Sequence, residues 1–142
     1  MVTKKSRNGG IIKMNKFIVV INGSGGVGKD TFIDCVNDVV NSKRISTVDI
    51  VKVAAELLGW DGSKADKDRK FLSDIKLLSV AYSDHSYKYV NDCIDLFIDN
   101  DTTNNILFIM VREPEEIKRM VKDFGAITLL VKNPRIERIT TN

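Results

Sequence analysis

The sequence predicts an α/β domain of three layers, with helices on both faces of a mostly parallel sheet. Two observations carry this prediction. Short β-branched runs alternate with longer amphipathic stretches along the 142 residues, the order expected of strand–helix–strand units. The runs at 17–21 and 106–111 are continuously apolar, as strands covered on both faces are.

The elements follow in order. Phe17-Ile18-Val19-Val20-Ile21 forms a central strand. Phe32, Ile33, Val36, Val39 and Val40 recur at helical spacing, which predicts a helix over 31–41. Ser46-Thr47-Val48 reads as a short second strand, after which Asp49 caps a helix through Leu58 that Gly59 stops. Residues 59–64 are turn chemistry. Phe71, Ile75, Leu78 and Tyr82 mark one helical face, and Val90, Cys93, Ile94, Phe97 and Ile98 mark another. Residues 101–105 make a loop into the buried strand 106–111. Pro114 opens a helix with the core stripe Ile117, Met120, Val121 and Phe124. Gly125 ends it, and residues 127–131 form a fourth strand. The tail, 132–142, is polar and basic, with no core pattern of its own.

Composition narrows the function classes. The length suits one domain, and 43% hydrophobic with 29% charged residues is ordinary for a folded protein. A net charge of +3 is too mild to argue for nucleic acid, and no apolar run approaches the roughly 20 residues of a membrane helix. Cys35 and Cys93 lie far apart without a CxxC pattern, so they read as two buried thiols rather than a disulfide or zinc site. Free thiols and the lack of a targeting signal predict a cytoplasmic protein. Residues 1–13 look foreign to the domain, which is read as 14–142. Gly9-Gly10 can be encoded by a purine-rich ribosome-binding sequence just upstream of Met14, so 1–13 are expected to be translated leader or a disordered extension. The codons at Gly9 and Gly10 test this.

The chemistry concentrates in Gly23-Ser24-Gly25-Gly26-Val27-Gly28-Lys29-Asp30-Thr31, a GxxxxGK loop between a strand and a helix. Glycines let successive backbone N–H groups converge on phosphate oxygens, and the helix N-terminus adds partial positive charge. Lys29 supplies a point charge for the β- and γ-phosphates of a nucleoside triphosphate. A bare glycine turn without a ligand is the alternative. Asp30 stands where Ser or Thr usually meets Mg²⁺. As a hard oxygen donor it suits the metal directly or through water, and the Thr31 hydroxyl adds a second donor; a helix cap is the plainer role for Asp30. Ser24 occupies the position where partition-type ATPases carry a lysine, which disfavours that family.

The segment GKDT at 28–31 resembles the loop of phage deoxynucleoside monophosphate kinases and of animal-type phosphomevalonate kinases. Lys67-Asp68-Arg69-Lys70-Phe71-Leu72 resembles the KDRxxL helix of the nucleotide kinases, and Val111-Arg112-Glu113-Pro114-Glu115-Glu116-Ile117 resembles their VRxPxE segment. The resemblance implies a P-loop NTPase fold and transfer of the γ-phosphoryl of Mg-ATP to a nucleoside or deoxynucleoside monophosphate. It implies that Gly23 through Thr31 bind the ATP phosphates, that Arg69, Arg112 and Glu116 serve the acceptor, and that Lys29, Arg112 and Arg138 act in catalysis. Arg135 and Arg138 fall at the lid, about 133–142, and the stretch from about 49 to 99 is the acceptor-binding part.

Each assignment has a plainer alternative. Arg69 fits a solvated charged helix, Glu115 and Glu116 suit a helix N-terminus electrostatically, and Arg135 and Arg138 suit a solvated tail. His85 reads as a surface residue, Trp60 as packing behind Gly59, and Asp49 as a cap that is also placed to meet the acceptor. Two departures from the family stand out. Met110 replaces an Asp two residues before Arg112, and the chain stops before a fifth strand and last helix. An edge left bare there would suit a homodimer. A kinase of another phosphorylated acceptor, of phosphomevalonate or dephospho-coenzyme A type, and a nucleotide-binding regulatory module without turnover are the competing readings.

Overall fold

Strand formation follows the apolar runs. A computed structural model describes residues 3–5, 11–13 and 15–135. The elements are β1 (Thr3–Lys5), β2 (Ile11–Lys13), β3 (Phe17–Asn22), α1 (Lys29–Asn37), β4 (Ser42–Ser46), α2 (Asp49–Leu57), α3 (Asp66–Tyr82), α4 (His85–Asn100), β5 (Ile106–Met110), α5 (Pro114–Phe124) and β6 (Ile127–Leu130). Strands β1 and β2 pair antiparallel as a small separate ribbon. The other four form a parallel sheet in the order β4-β5-β3-β6, the α/β class the sequence predicts. Non-consecutive neighbours need crossover connections, and helices supply them.

The chain divides into two units, one made of Met1–Ile45 with Ile94–Asn142, the other of Ser46–Cys93. In the first, alternation along the central strands sends side chains to both sheet faces. Val19, Ile21, Phe108 and Ile33 of α1 form one cluster, with Phe17, Val36, Ile106, Met110, Leu129 and Val131 packed against it. Phe32 of α1 meets the Phe108 ring edge-on at 6.3 Å. Ile18, Val20, Leu107 and Ile109, which alternate with that set, are equally buried. Helix α5 packs on β3 and β6 with Met120 fully enclosed.

Lys16, 2% exposed, ties the start of β3 to the end of α4. Its ammonium donates to the carbonyls of Phe97 and, at 3.2 Å, Ile98, and lies 5.0 Å from the Phe97 ring centroid. A cation on the free carbonyls of a helix C-terminus satisfies both hydrogen bonding and dipole. Lys16→Met keeps the stem and removes the charge, so it is expected to lower unfolding free energy by about 2 kcal/mol, read as a shifted urea midpoint with unchanged slope.

In the second unit α2 packs on α3, and Val51, Ala55, Tyr87 and Val90 are buried. The Lys76 ammonium, also buried, donates to Thr47 Oγ1 at 3.3 Å. Trp60 is half-buried and donates its ring N–H to the Ser63 carbonyl at 3.0 Å.

Several expectations need correction. The second strand is Ser42–Ser46 rather than 46–48; it is an edge strand with exposed Lys43 and Arg44, so pairing with β5 rather than an apolar pattern defines it. Helix α1 ends at Asn37, because the chain folds back over the Val36 carbonyl, which accepts both the Val39 and Val40 N–H groups. Asp49 lies inside the first turn of α2 and its carboxylate accepts the Ser46 N–H at 2.8 Å, so it braces the preceding turn instead of capping the helix. On α3, Leu78 and Tyr82 are exposed and Lys76 is buried; on α5, Val121 is partly exposed. Cys35 is exposed, on the outer side of α1, and Cys93 is half-buried. No helix among the described residues is long and apolar enough to cross a membrane.

Candidate phosphate-binding site

The site arises where three parallel strands end at one level. The Val111 N–H donates to the Ile21 carbonyl at 3.2 Å, and the Val131 N–H donates to the Asn22 carbonyl at 2.8 Å. The residues just beyond therefore emerge side by side at the carboxyl edge, where open parallel sheets bind ligands. Asn22, Gly23, Ser24, Arg112, Leu130 and Lys132 line a cavity of about 340 Å³ there.

Glycine is required at the mouth of this cavity. A Cβ on Gly23 would lie 2.6 Å from the Val131 carbonyl oxygen and 2.9 Å from Val27 Cγ2. Gly28, with φ of 101°, caps α1 in the left-handed region that other residues rarely adopt. Between them the loop turns through a Val27 N–H to Ser24 carbonyl bond of 3.3 Å, with Val27 buried as its anchor. Ser24, Gly25 and Gly26 stand exposed on the rim. The loop is thus pinned at both ends and open in the middle.

Two cations face this loop. Lys29 opens α1, and its ammonium donates to the Gly23 carbonyl at 2.8 Å, folding back across the turn. A Cβ on Gly25 would lie 3.8 Å from an Arg112 guanidinium nitrogen, which places that group over the loop. Partial burial, and then repulsion from Arg112, hold the Lys29 pKa below the ordinary lysine range, against a smaller opposing pull from Asp30. An anionic ligand would relieve that repulsion and raise the pKa. Triphosphate affinity is therefore expected to be complete below the pKa of the free protein. It should fall as pH rises through the interval between the free and liganded values. Titrating ATP affinity from neutral to alkaline pH checks this, with Lys29→Arg expected to stay flat.

The cap of α1 is Gly28, and Asp30 lies within the first turn. There Arg44 of β4 donates from Nη1 to Asp30 Oδ1 at 2.8 Å and from Nη2 to Asp34 Oδ1. These contacts, Asp34's foremost, raise the Arg44 pKa. Asp30 and Thr31 are hard oxygen donors exposed at the same helix start, the donor chemistry that suits Mg²⁺. Among the described residues no three His, Cys, Asp or Glu side chains gather to hold a metal. The remaining ligands would be phosphate oxygens and water.

The first unit thus brings together Gly23 through Thr31 and Arg112. Glu116 is half-buried in the first turn of α5, while Glu115 is exposed and pairs with Lys118 at 3.1 Å. Arg135 is exposed where the chain turns helical after β6, its N–H bonded to Asn133 Oδ1 at 3.1 Å; Arg138 lies outside the described residues. Arg69 belongs to the second unit, exposed in α3, and His85 is exposed at the start of α4. Sequence reasoning missed Asn22, Lys132 and Arg44. Lys132 had a signal, since it follows the fourth strand as Arg112 follows the third.

No protein-family model and no curated protein sequence matches the chain. Solved structures do. A chain of the Pnkp1/Rnl/Hen1 complex superposes with a TM-score of 0.54 at 15% identity, covering 92% of this chain and 40% of its own length. A "putative kinase" from Chloroflexus aurantiacus J-10-fl gives 0.50 at 11% identity, covering 84% and 59% respectively. The chain therefore spans less than two thirds of either neighbour. At these identities the likeness concerns the fold alone, an α/β architecture on a four-stranded parallel sheet.

Proposed function

We propose that the chain is a P-loop phosphotransferase that moves the γ-phosphoryl of Mg-ATP to a nucleoside or deoxynucleoside monophosphate. The observation that carries this reading is the convergence of Lys29 and Arg112 on a glycine loop at the carboxyl edge of the sheet. Phosphoryl transfer asks for positioning and charge neutralisation more than for covalent chemistry. The loop's N–H groups and Lys29 hold the β- and γ-phosphates. Arg112, with Lys132 on the same cavity, neutralises charge on the phosphoryl in transit. Asp30 and Thr31 would hold Mg²⁺, which when bound neutralises the phosphate oxygens. An acceptor phosphate oxygen bonds to the γ-phosphorus as the bond to the β,γ-bridging oxygen breaks, giving ADP and a nucleoside diphosphate.

A phosphate acceptor asks less of these residues than an alcohol would. A hydroxyl nucleophile needs a base to take its proton, and Met110 offers none at the end of β5. A phosphate monoester has its second pKa near 6, so at neutral pH it already presents an anionic oxygen. Arg69 and Glu116 are the acceptor-side candidates, and Arg135 and Arg138 the lid candidates. The protein works in the cytoplasm, on small molecules rather than nucleic acid or membrane.

ADP release measured with nucleoside monophosphates, phosphomevalonate, dephospho-coenzyme A and the parent nucleosides tests this reading. Acceleration by monophosphates alone is expected; acceleration by nucleosides alone would overturn it. The second reading, a nucleotide-binding module without turnover, is favoured by Met110 and by the Arg44 contact on Asp30. It predicts Lys29-dependent ATP binding with no acceptor effect.

A further inference from the structure

We infer that Arg44 competes with the nucleotide's divalent cation for Asp30, and that Asp34 is the berth that keeps Arg44 when it yields. This rests on the phosphate-loop reading above and adds a residue that sets the loop's metal affinity. Asp30 and Asp34 stand four apart on α1 and so share one helix face. Arg44 reaches both with different nitrogens, Nη1 to Asp30 and Nη2 to Asp34. Releasing Asp30 therefore need not release Asp34.

The pair is built to open. The Asp30 side chain is 70% exposed and that of Arg44 35%, and an ion pair so solvated is held by only about 0–1 kcal/mol. A divalent cation bridged to phosphate oxygens offers Asp30 a stronger partner. While Arg44 remains on Asp30, its charge occupies the carboxylate and repels an incoming cation. An ordinary loop with Ser or Thr at this position has no carboxylate for an arginine to occupy. The carboxylate makes the metal position one that an internal cation can fill.

The test is the ratio of ATP affinity with Mg²⁺ to that without, measured by calorimetry on wild type, Arg44→Met, Arg44→Lys and Asp34→Asn. Free Mn²⁺, counted by electron paramagnetic resonance in the presence of ATP, gives a second readout. Arg44→Met should raise the ratio about fivefold, as loss of a competitor worth about 1 kcal/mol implies. Asp34→Asn removes the berth and should lower it. Arg44→Lys, which keeps the charge without the fork, should fall between wild type and Arg44→Met. Opposite shifts from two neighbouring substitutions cannot come from general loss of structure. An unchanged or lowered ratio in Arg44→Met overturns the inference alone. No Lys29-dependent ATP binding in metal-free buffer overturns the phosphate-loop reading and the inference with it.

Discussion

Lys29→Ala should cost on the order of 10²–10³-fold in ATP affinity while leaving the fold in place. Removing one partner of a desolvated charge pair typically costs about 2–5 kcal/mol, and each 1.4 kcal/mol is about tenfold. Lys29 makes one described side-chain bond, to the Gly23 carbonyl, which water can replace at this half-exposed site. Its partial desolvation beside Arg112 even disfavours the charge in the free protein. The unfolding midpoint of the variant should therefore match or slightly exceed that of wild type. Calorimetry with ATP and a thermal melt on the same sample check both halves. Intact affinity, or a collapsed melt, would contradict this account of the residue.

Gly23→Ala should act in the opposite way, through structure first. The added carbon would sit 2.6 Å from a backbone carbonyl oxygen, that of Val131, and backbone cannot swing aside as a side-chain end can. That carbonyl belongs to the segment pinned by the Val131 N–H bond to Asn22. Relief means displacing the end of β6 or lifting the loop from Val27. Overpacking of this kind costs about 1–3 kcal/mol, and a value at the upper end is expected because both near neighbours are constrained. ATP binding should fall with it, since either displacement moves Lys132 or the loop. By contrast, nothing lies within 4 Å of a Cβ at Gly26 or Gly28, so alanine there tests backbone conformation alone. A denaturation series over the three positions sets crowding with strain at Gly23 against strain alone at Gly26 and Gly28.

How much of this was legible in the sequence depended on whether local pattern or tertiary pairing defined each part. The apolar runs announced β3 and β5, the stretch after Gly125 announced β6, and Pro114 and Gly125 bracketed α5 to the residue. The GxxxxGK spacing located the loop, and Arg112 came from the resemblance of residues 111–117 to the VRxPxE segment. Strand β4 was shifted because its pattern, Ser-Lys-Arg-Ile-Ser, carries no apolar run; only its place at the sheet edge makes it a strand. Arg44 was lost with it. Asp30 and Asp34, two carboxylates on one helix face, were the available sign that a cation stood opposite. The exposed Leu78 and Tyr82 show the reverse error, in which helical periodicity continued past the part of α3 that is buried. Lys16 and Lys76 were illegible for another reason, since burial of a lysine depends on carbonyl or hydroxyl partners far along the chain.

The most direct measurement follows the label from γ-³²P-ATP into a panel of nucleoside and deoxynucleoside monophosphates, with wild type and Lys29→Ala side by side. Labelled nucleoside diphosphate from wild type, absent in the variant, is the predicted result. Label that stays in ATP with every acceptor, or that transfers equally well without the Lys29 ammonium, would contradict the proposal that this loop is the catalytic centre of a phosphotransferase.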